Sequence, residues 1–327
     1  MQVLEKITVE DLKNKVLDGY EISREDARFL YNADYKELTQ ASKEIREKFC
    51  GDSFDMCTII NAKSGRCPEN CKFCAQSAFY NTDVKTYSLL SKDIIVNDAI
   101  DKYNQGVPRY SLVSSGKNLS SEDIDNVCEI VEEIHRQVPV EVCISGGLIN
   151  EEGFEKLKKA GVTRIHNNLE TSRNFFPNIC TTHLYDQKIK AIKAAKKANM
   201  EICSGGIIGL GESREDRLDM IYQLKELEVN SIPVNVLNPI PHTPLENNEI
   251  LSEEEINRTI AVFRFVIPDA TLRLAGGRAN MAGLGKSAFE AGANAAITGD
   301  MLTTHGVTIN DDKKMIESLN YKVRLIS

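Results

Sequence analysis

The stretch VEVCISGGLINEEGFEKLKKAGVTRIHNN, residues 140–168, decides the fold. It opens with a short β-branched run, VEVCI at 140–144, and passes into EEGFEKLKKAG, whose apolar positions recur at helical spacing among Glu and Lys. It closes with a second short run, TRIHNN at 163–168. Strand, amphipathic helix and strand in that order make a βαβ unit, and such units build a parallel sheet. The rhythm continues on both sides. Upstream lie MCTII at 56–60 and RYSLV at 109–113; downstream lie EICSGGII at 201–208, SIPVNVL at 231–237, ATLRLA at 270–275 and AAIT at 295–298. YDQKIKAIKAAKKAN and REDRLDMIYQLKEL are further amphipathic segments between them. Eight runs predict an α/β fold, a TIM-type (β/α)8 barrel, in preference to an open doubly wound sheet.

Ahead of the barrel, ITVEDLKNKVLDG and SREDARFLYNA alternate apolar and charged positions at helical spacing, with Thr8 and Ser23 as N-caps before acidic first turns. Glu253, Glu254 and Glu255 after Ser252 read as another helix first turn. The final residues, DDKKMIESLNYKVRLIS, read as a closing helix and tail. The expected organisation is an N-terminal helical extension over 1–50, a barrel over 51–310 and a C-terminal helix and tail over 311–327. A chain of 327 residues fits one barrel. Its net charge of −8 disfavours nucleic acid and anionic membranes as partners and favours small molecules. No apolar run reaches the ~18 residues of a spanning helix, and the charged start MQVLEKITVEDLKNK is unlike a signal peptide. A cytoplasmic protein is expected.

Nine cysteines, an odd number in such a chain, speak for reduced thiols or metal ligands over a disulfide framework. Five lie between Cys50 and Cys74. Cys67-Pro68-Glu69-Asn70-Cys71-Lys72-Phe73-Cys74 follows the first strand and therefore sits at the C-terminal mouth of the barrel, where barrel active sites are built. A zinc knuckle is one reading, but a structural zinc site wants four ligands and no fourth Cys or His is close in sequence. Three thiolates suit an Fe–S cubane with one iron left open to a small molecule.

The CxxxCxxC spacing, with Phe73 before its last Cys, resembles the radical S-adenosylmethionine (SAM) superfamily. Within it, CPENCKFCAQS, HNNLETS at 166–172, CSGGIIGLGES at 203–213, VNVLNPIPHTPL at 234–245 and RLAGGR at 273–278 resemble the biotin synthases, in that order, over roughly residues 50–305. The resemblance implies a [4Fe–4S] cluster on Cys67, Cys71 and Cys74, SAM as cofactor and dethiobiotin as the substrate into which sulfur is inserted. It further implies an auxiliary Fe–S cluster as sulfur source, a homodimer, and an electron donor such as flavodoxin or ferredoxin.

GGIIGLGE at 205–212 reads alone as a Gly-rich turn into a helix; with the cysteine loop it is similar to the superfamily's GxIxGxxE pattern. The implied SAM contacts are Phe73, Glu170, Lys188, Gly205, Ile207 and Gly209. Glu170 is a carboxylate able to accept two ribose hydroxyl hydrogen bonds, or a solvated strand end. Lys188 stands where many members have Arg. Asn168 and Asn235 are the implied substrate contacts; the alternative for Asn235 is a core Asn satisfied by backbone. His166, His183 and His242 show no metal-site spacing and read as polar contacts, and Cys50, Cys128 and Cys180 as structural thiols.

Cys143, Cys203 and Arg273 match three of the four family positions that hold the auxiliary cluster. The alternative for Arg273 is an internal salt bridge with Glu141 or Glu201, since a buried arginine needs a partner. The fourth family ligand is a Cys on the second strand, where this chain has Ser111. Cys57 takes its place in the expected ligand set: it stands on the first strand, and one layer of inward side chains in a barrel draws on alternate strands, here the first, third, fifth and seventh. A small buried hydrophobe is the other fate for Cys57. The competing functions are another radical SAM enzyme, such as a hydrogenase-maturation or mutase relative, and a non-catalytic Fe–S carrier.

Overall fold

In the computed structural model, which describes residues 7–326, the expected runs become nine short parallel strands: β1 (Ser53–Lys63), β2 (Arg109–Ser114), β3 (Glu141–Ser145), β4 (Arg164–His166), β5 (Glu201–Cys203), β6 (Gly206–Ile208), β7 (Ser231–Val236), β8 (Thr271–Leu274) and β9 (Ala295–Thr298). The first six residues of the expected N-terminal extension and Ser327 of the expected tail lie outside the described residues. The strands pair in chain order, with β5 and β6 both alongside β7, and β9 returns to β1 through Asp55↔Ala295 and Cys57↔Ile297. That pairing closes the barrel.

The fifth expected run is one barrel strand in two pieces. Cys203 pairs with Ser231 on β7, then the chain breaks at Ser204 and Gly205 and resumes pairing at Gly206↔Val234. At the break the Gly205 N–H donates to the Asn168 side chain at 3.0 Å. A Cβ on Gly205 would lie 1.9 Å from the Pro233 carbonyl oxygen, so only glycine fits this crossing of two backbones.

The helices turn apolar faces onto the barrel. In the helix Ser121–Gln137, for example, Ile124, Val127, Ile130, Val131 and Ile134 are buried at helical spacing. Ahead of β1, α1 (Val9–Leu17) and α2 (Arg24–Asn32) begin at Thr8 and Ser23 in capping boxes with Asp11 and Asp26, and α3 (Tyr35–Cys50) follows. Leu12, Leu30, Leu38 and Ile45 of these helices join the same hydrophobic core as the barrel.

The C-terminal segment contains a strand that its sequence did not announce. Residues Lys322–Val323 extend the sheet alongside the start of β1. Beyond them the Ile326 N–H donates to Asp55 at 3.1 Å and the Ile326 carbonyl accepts from Arg164 at 2.8 Å, which covers the floor of the barrel, opposite the mouth.

Candidate active site

A cavity of about 390 Å³ runs from the mouth of the barrel into its interior. Twelve of the expected site residues line it. Cys67, Cys71, Phe73 and Cys74 stand at the mouth; Asn168, Glu170, Ile207 and Asn235 line the wall; Cys57, Cys143, Cys203 and Arg273 lie deeper. Lys188, Gly205 and Gly209 do not reach its surface.

The mouth loop is held by its own backbone. Cys67 N–H donates to Gln76 O at 3.0 Å, Ala78 N–H to Cys67 O at 2.8 Å and Cys74 N–H to Cys71 O at 3.0 Å, and Lys72 N–H is tied to Ile179 O of the loop after β4 at 3.0 Å. Burial pushes the Cys67 thiol up, and pushes Cys74 up to about 11, so both hold their proton until a metal takes its place. Among the described residues, the one group of three Cys, His or carboxylate donors lying within 4.8 Å of one another is Cys71, Cys180 and His183. The sulfurs of Cys67, Cys71 and Cys74 are therefore spread wider than the roughly 3.8 Å that a single tetrahedral zinc would impose. Three thiols facing one cavity at that spread fit three different irons of a cluster.

His183 is a buried polar contact of Glu69 and Cys180, and Cys180 is a buried thiol. The sequence excluded a fourth Cys or His by its distance along the chain, whereas the loop after β4 folds over the mouth loop and sets both against Cys71. The Cys71 thiol beside it is the main cause that holds Cys180 down, to about 3.

The alternating inward positions of the strands carry a charged floor. Arg273 is buried and paired with Asp55 at 2.6 Å, so the internal salt bridge weighed as its alternative role is present but runs to Asp55, not to Glu141 or Glu201. Glu201 instead takes Arg164 at 2.7 Å. Arg109 adds a third guanidinium, 3.4 Å from Asp55. Burial pushes the Asp55 carboxyl up, but the charges of Arg273, Arg109 and Arg164 outweigh it and hold it below its usual range. Three arginines against Asp55 and the half-exposed Glu201 leave one excess positive charge facing Cys57, Cys143 and Cys203. The buried Arg109 Nε has no hydrogen-bond partner. An orphaned guanidinium nitrogen and a positive floor beside three thiols fit an anionic Fe–S cluster.

Burial pushes Cys57 up to about 11 and Cys143 up to about 12. Cys203 differs: burial acts on it too, but neighbouring His166 with Arg273 and Arg164 holds it down at about 6. Ser111 also lines the cavity and is the register partner of Cys143, so its hydroxyl shares the wall with the three thiols.

The wall residues are set by the break in the fifth strand. Asn168 accepts from Gly205 N–H, and its amide nitrogen lies 3.4 Å from a Glu170 oxygen. Glu170 adopts φ +72°, a conformation L-residues avoid, and is held there by bridging to Gly206. Lys188 is buried behind it at 4.0 Å. Asn235 donates to Gly206 O at 3.1 Å and accepts from Gly276 N–H at 2.9 Å, which orients the amide while one N–H and one oxygen lone pair stay free.

A family model of the radical SAM superfamily matches residues 62–224, and one of the biotin and thiamin synthesis associated domain matches 233–322. The chain is 52% identical over 323 residues to a biotin synthase of Brachyspira hyodysenteriae, covering 99% of this chain and 97% of that one. It is 53% identical over 311 residues to a biotin synthase of Clostridium botulinum, covering 95% and 98%. The chain belongs to the biotin synthase family. Among solved structures it resembles methylornithine synthase at TM-score 0.84 and 18% identity, covering 96% and 97% of the two chains. It also resembles a maturase of the [FeFe]-hydrogenase at TM-score 0.84 and 17% identity, covering 98% and 76%. At those identities the likeness shows the fold.

Asp55, Arg109 and Arg164 are cavity or floor residues of this biotin synthase family member that the motifs did not single out, and His166, read from the sequence as a polar contact, lines the cavity with them. Strand alternation carried the signal: Asp55 stands two positions before Cys57, Arg109 two before Ser111, and His166 two after Arg164, all on inward faces.

Proposed function

We propose that this cavity converts dethiobiotin to biotin, with Cys67, Cys71 and Cys74 holding a [4Fe–4S] cluster at the mouth. Cys57, Cys143, Cys203 and Arg273 hold an auxiliary Fe–S cluster at the floor. As a member of the biotin synthase family the chain is a radical SAM enzyme, a sulfurtransferase of biotin biosynthesis that uses both clusters, and dethiobiotin and SAM are its substrates. The observation that carries the residue assignment is the pair of thiol triads lining one cavity, one at its mouth and one toward its floor. When bound, the mouth cluster with SAM supplies a 5′-deoxyadenosyl radical and the floor cluster supplies sulfur.

The chain's own residues position and enclose. Glu170, fixed by its strained backbone, accepts the ribose hydroxyls of SAM, and Lys188 behind it offers a cation on the side of the SAM carboxylate. Phe73, Ile207, Gly205 and Gly209 shape the adenosyl side, the two glycines through the backbone course they permit. Asn168 and Asn235 face dethiobiotin, and the free amide N–H and lone pair of Asn235 match the C=O and N–H of a cyclic urea. Ile59, Val113, Ile297 and Leu302 line the cavity with apolar surface that keeps water from the reacting carbons. Arg109, Arg164 and Arg273 balance the negative charge of the floor cluster.

Cys57 is proposed as a ligand over Ser111 because the register sets it level with Arg109, two residues deeper than Ser111, on the cavity wall it shares with Cys143, Cys203 and Arg273. The reading divides the chain into an extension over 1–50, a barrel over 51–310 and a closing helix and tail over 311–327. It includes a low-potential donor of the flavodoxin or ferredoxin class, which reductive SAM cleavage requires, and a homodimer, which rests on the family resemblance alone. Nine unpaired cysteines support a reducing, cytoplasmic location. No helix among the described residues is long and apolar enough to cross a membrane.

Iron and sulfide analysis with Mössbauer spectra tests the assignment. Cys67→Ala should lose the mouth cluster and keep the floor cluster, and Cys57→Ser the reverse. Unaltered spectra for Cys57→Ser would remove Cys57 from the ligand set and leave Ser111, a water or an extra sulfide in its place, and unaltered spectra for Cys67→Ala would overturn the mouth assignment.

A further inference from the structure

The loop after β4 brings a second set of metal donors against the mouth loop, of which the reaction above uses Cys71 alone. Cys71 Sγ, Cys180 Sγ and His183 Nδ1 lie within 4.8 Å of one another. Cys180 and His183 are buried, and their donor atoms are 3.3 Å apart. Glu69, also buried, contacts the same His183 nitrogen through Oε2, and that oxygen accepts from the Thr182 hydroxyl at 2.7 Å. Two sulfurs and one imidazole nitrogen thus converge from two loops, with the Glu69 carboxylate against that nitrogen.

The spacing suits a single ion. Zinc bonds of about 2.3 Å to sulfur and 2.0–2.1 Å to nitrogen put tetrahedral donors roughly 3.5–3.8 Å apart. The Cys180–His183 separation lies just below that range, and Cys71 needs to close by no more than about 1 Å to reach it. Glu69 is placed as the fourth donor, because an ion taking Nδ1 displaces its carboxylate from that nitrogen into the coordination sphere. The backbone on both sides is already fixed. Lys72 N–H donates to Ile179 O at 3.0 Å, and Asn70 Oδ1 accepts from Thr181 N–H at 2.9 Å and Thr182 N–H at 3.3 Å.

We propose that the chain, before cluster insertion, binds one thiophilic divalent cation such as Zn2+ through Cys71, Cys180, His183 and Glu69. Because Cys71 is shared, the ion must leave before the [4Fe–4S] cluster forms. The cation site stands on these four side chains alone; its competition with the cluster rests on the assignment of Cys71 above.

The test uses the full-length chain purified without cluster under anaerobic conditions and stripped with a chelator. Zn2+ is titrated against a chromophoric chelator, and Co2+ is followed by its thiolate charge-transfer and visible bands. One tight ion per chain with a tetrahedral, two-sulfur Co2+ spectrum is expected. Cys180→Ser and His183→Gln should each weaken Zn2+ binding by about tenfold or more. Cys67→Ser, outside the set, should leave it unchanged. Loss of binding in Cys67→Ser with none in Cys180→Ser would place the ion on the mouth triad and overturn the proposal, as would the absence of stoichiometric binding. Circular dichroism of each variant separates ligand loss from misfolding. In a second arm, prior loading with one equivalent of Zn2+ should slow the growth of cluster absorbance on addition of iron and sulfide, and Cys180→Ser should remove that delay. If Zn2+ binds as expected without delaying the cluster, the shared use of Cys71 is wrong while the cation site stands.

Discussion

Replacing Asp55 by Ala tests the charged floor. Asp55 is fully buried and is the carboxylate that Arg273 meets at 2.6 Å and Arg109 at 3.4 Å, and it also holds the Ile326 N–H at 3.1 Å. Its removal leaves two buried guanidiniums short of an acceptor and turns the floor's excess charge from one to two. Breaking a buried pair by deleting one partner costs about 3–5 kcal/mol. With an unfolding entropy of about 2.1 cal/mol/K per residue, a chain of this length loses about 4–7 °C in Tm. Thermal unfolding of the cluster-free protein by circular dichroism reads that shift directly. The floor account adds a second expectation. In protein carrying the auxiliary cluster the shift should be smaller, because an anionic cluster supplies the missing countercharge. A cluster-free variant within about 1 °C of the parent would show that the arginines do not depend on Asp55, and an equal shift in both forms would show that no anion sits against them.

Cys74→Ala should abolish 5′-deoxyadenosine formation from SAM in reduced, reconstituted protein while its far-ultraviolet circular dichroism matches the parent, since the residue lies on a mouth loop outside the strands; normal SAM cleavage would contradict the mouth assignment. Asn235→Ala should weaken dethiobiotin binding by about 1–3 kcal/mol, read by calorimetry, with SAM binding intact. Equal dethiobiotin affinity would make Asn235 a residue that only fastens Gly206 to Gly276. Gly205→Ala forces a Cβ to 1.9 Å from a backbone oxygen and should destabilise by more than the ~1–3 kcal/mol of ordinary overpacking, seen as loss of soluble protein or a large fall in Tm. A Tm equal to the parent's would mean that the β5–β7 crossing yields more readily than its geometry implies.

The barrel was legible because buried parallel strands leave short apolar runs, and the helices between them leave a repeating polar and apolar face. The CxxxCxxC loop was legible because its three cysteines are local. What stayed hidden depends on register and on loops meeting across the mouth. Strand parity placed Cys57 at depth, yet the same parity applied to Asp55, Arg109 and Arg164 would have exposed the ion pairs of the floor. The partner of Arg273 stands 218 residues away along the chain, and pattern within a strand cannot rank Asp55 above Glu201. Cys180 and His183 meet Cys71 only because the loop after β4 folds back over the mouth, a contact across more than a hundred residues that no local spacing encodes. The break in the fifth strand was hidden for a similar reason: its cause is the Pro233 carbonyl of a later strand pressed against Gly205.

The central claim is that the deep thiols hold the sulfur that enters the product. Protein whose auxiliary cluster has been rebuilt with isotopically heavy sulfide, given dethiobiotin, SAM and reductant without oxygen for a single turnover, reports on it through the mass of the biotin formed. Biotin carrying the heavy sulfur is expected, and no biotin from Cys203→Ala, which retains the mouth cluster. Biotin of natural isotopic mass from the labelled protein would contradict it.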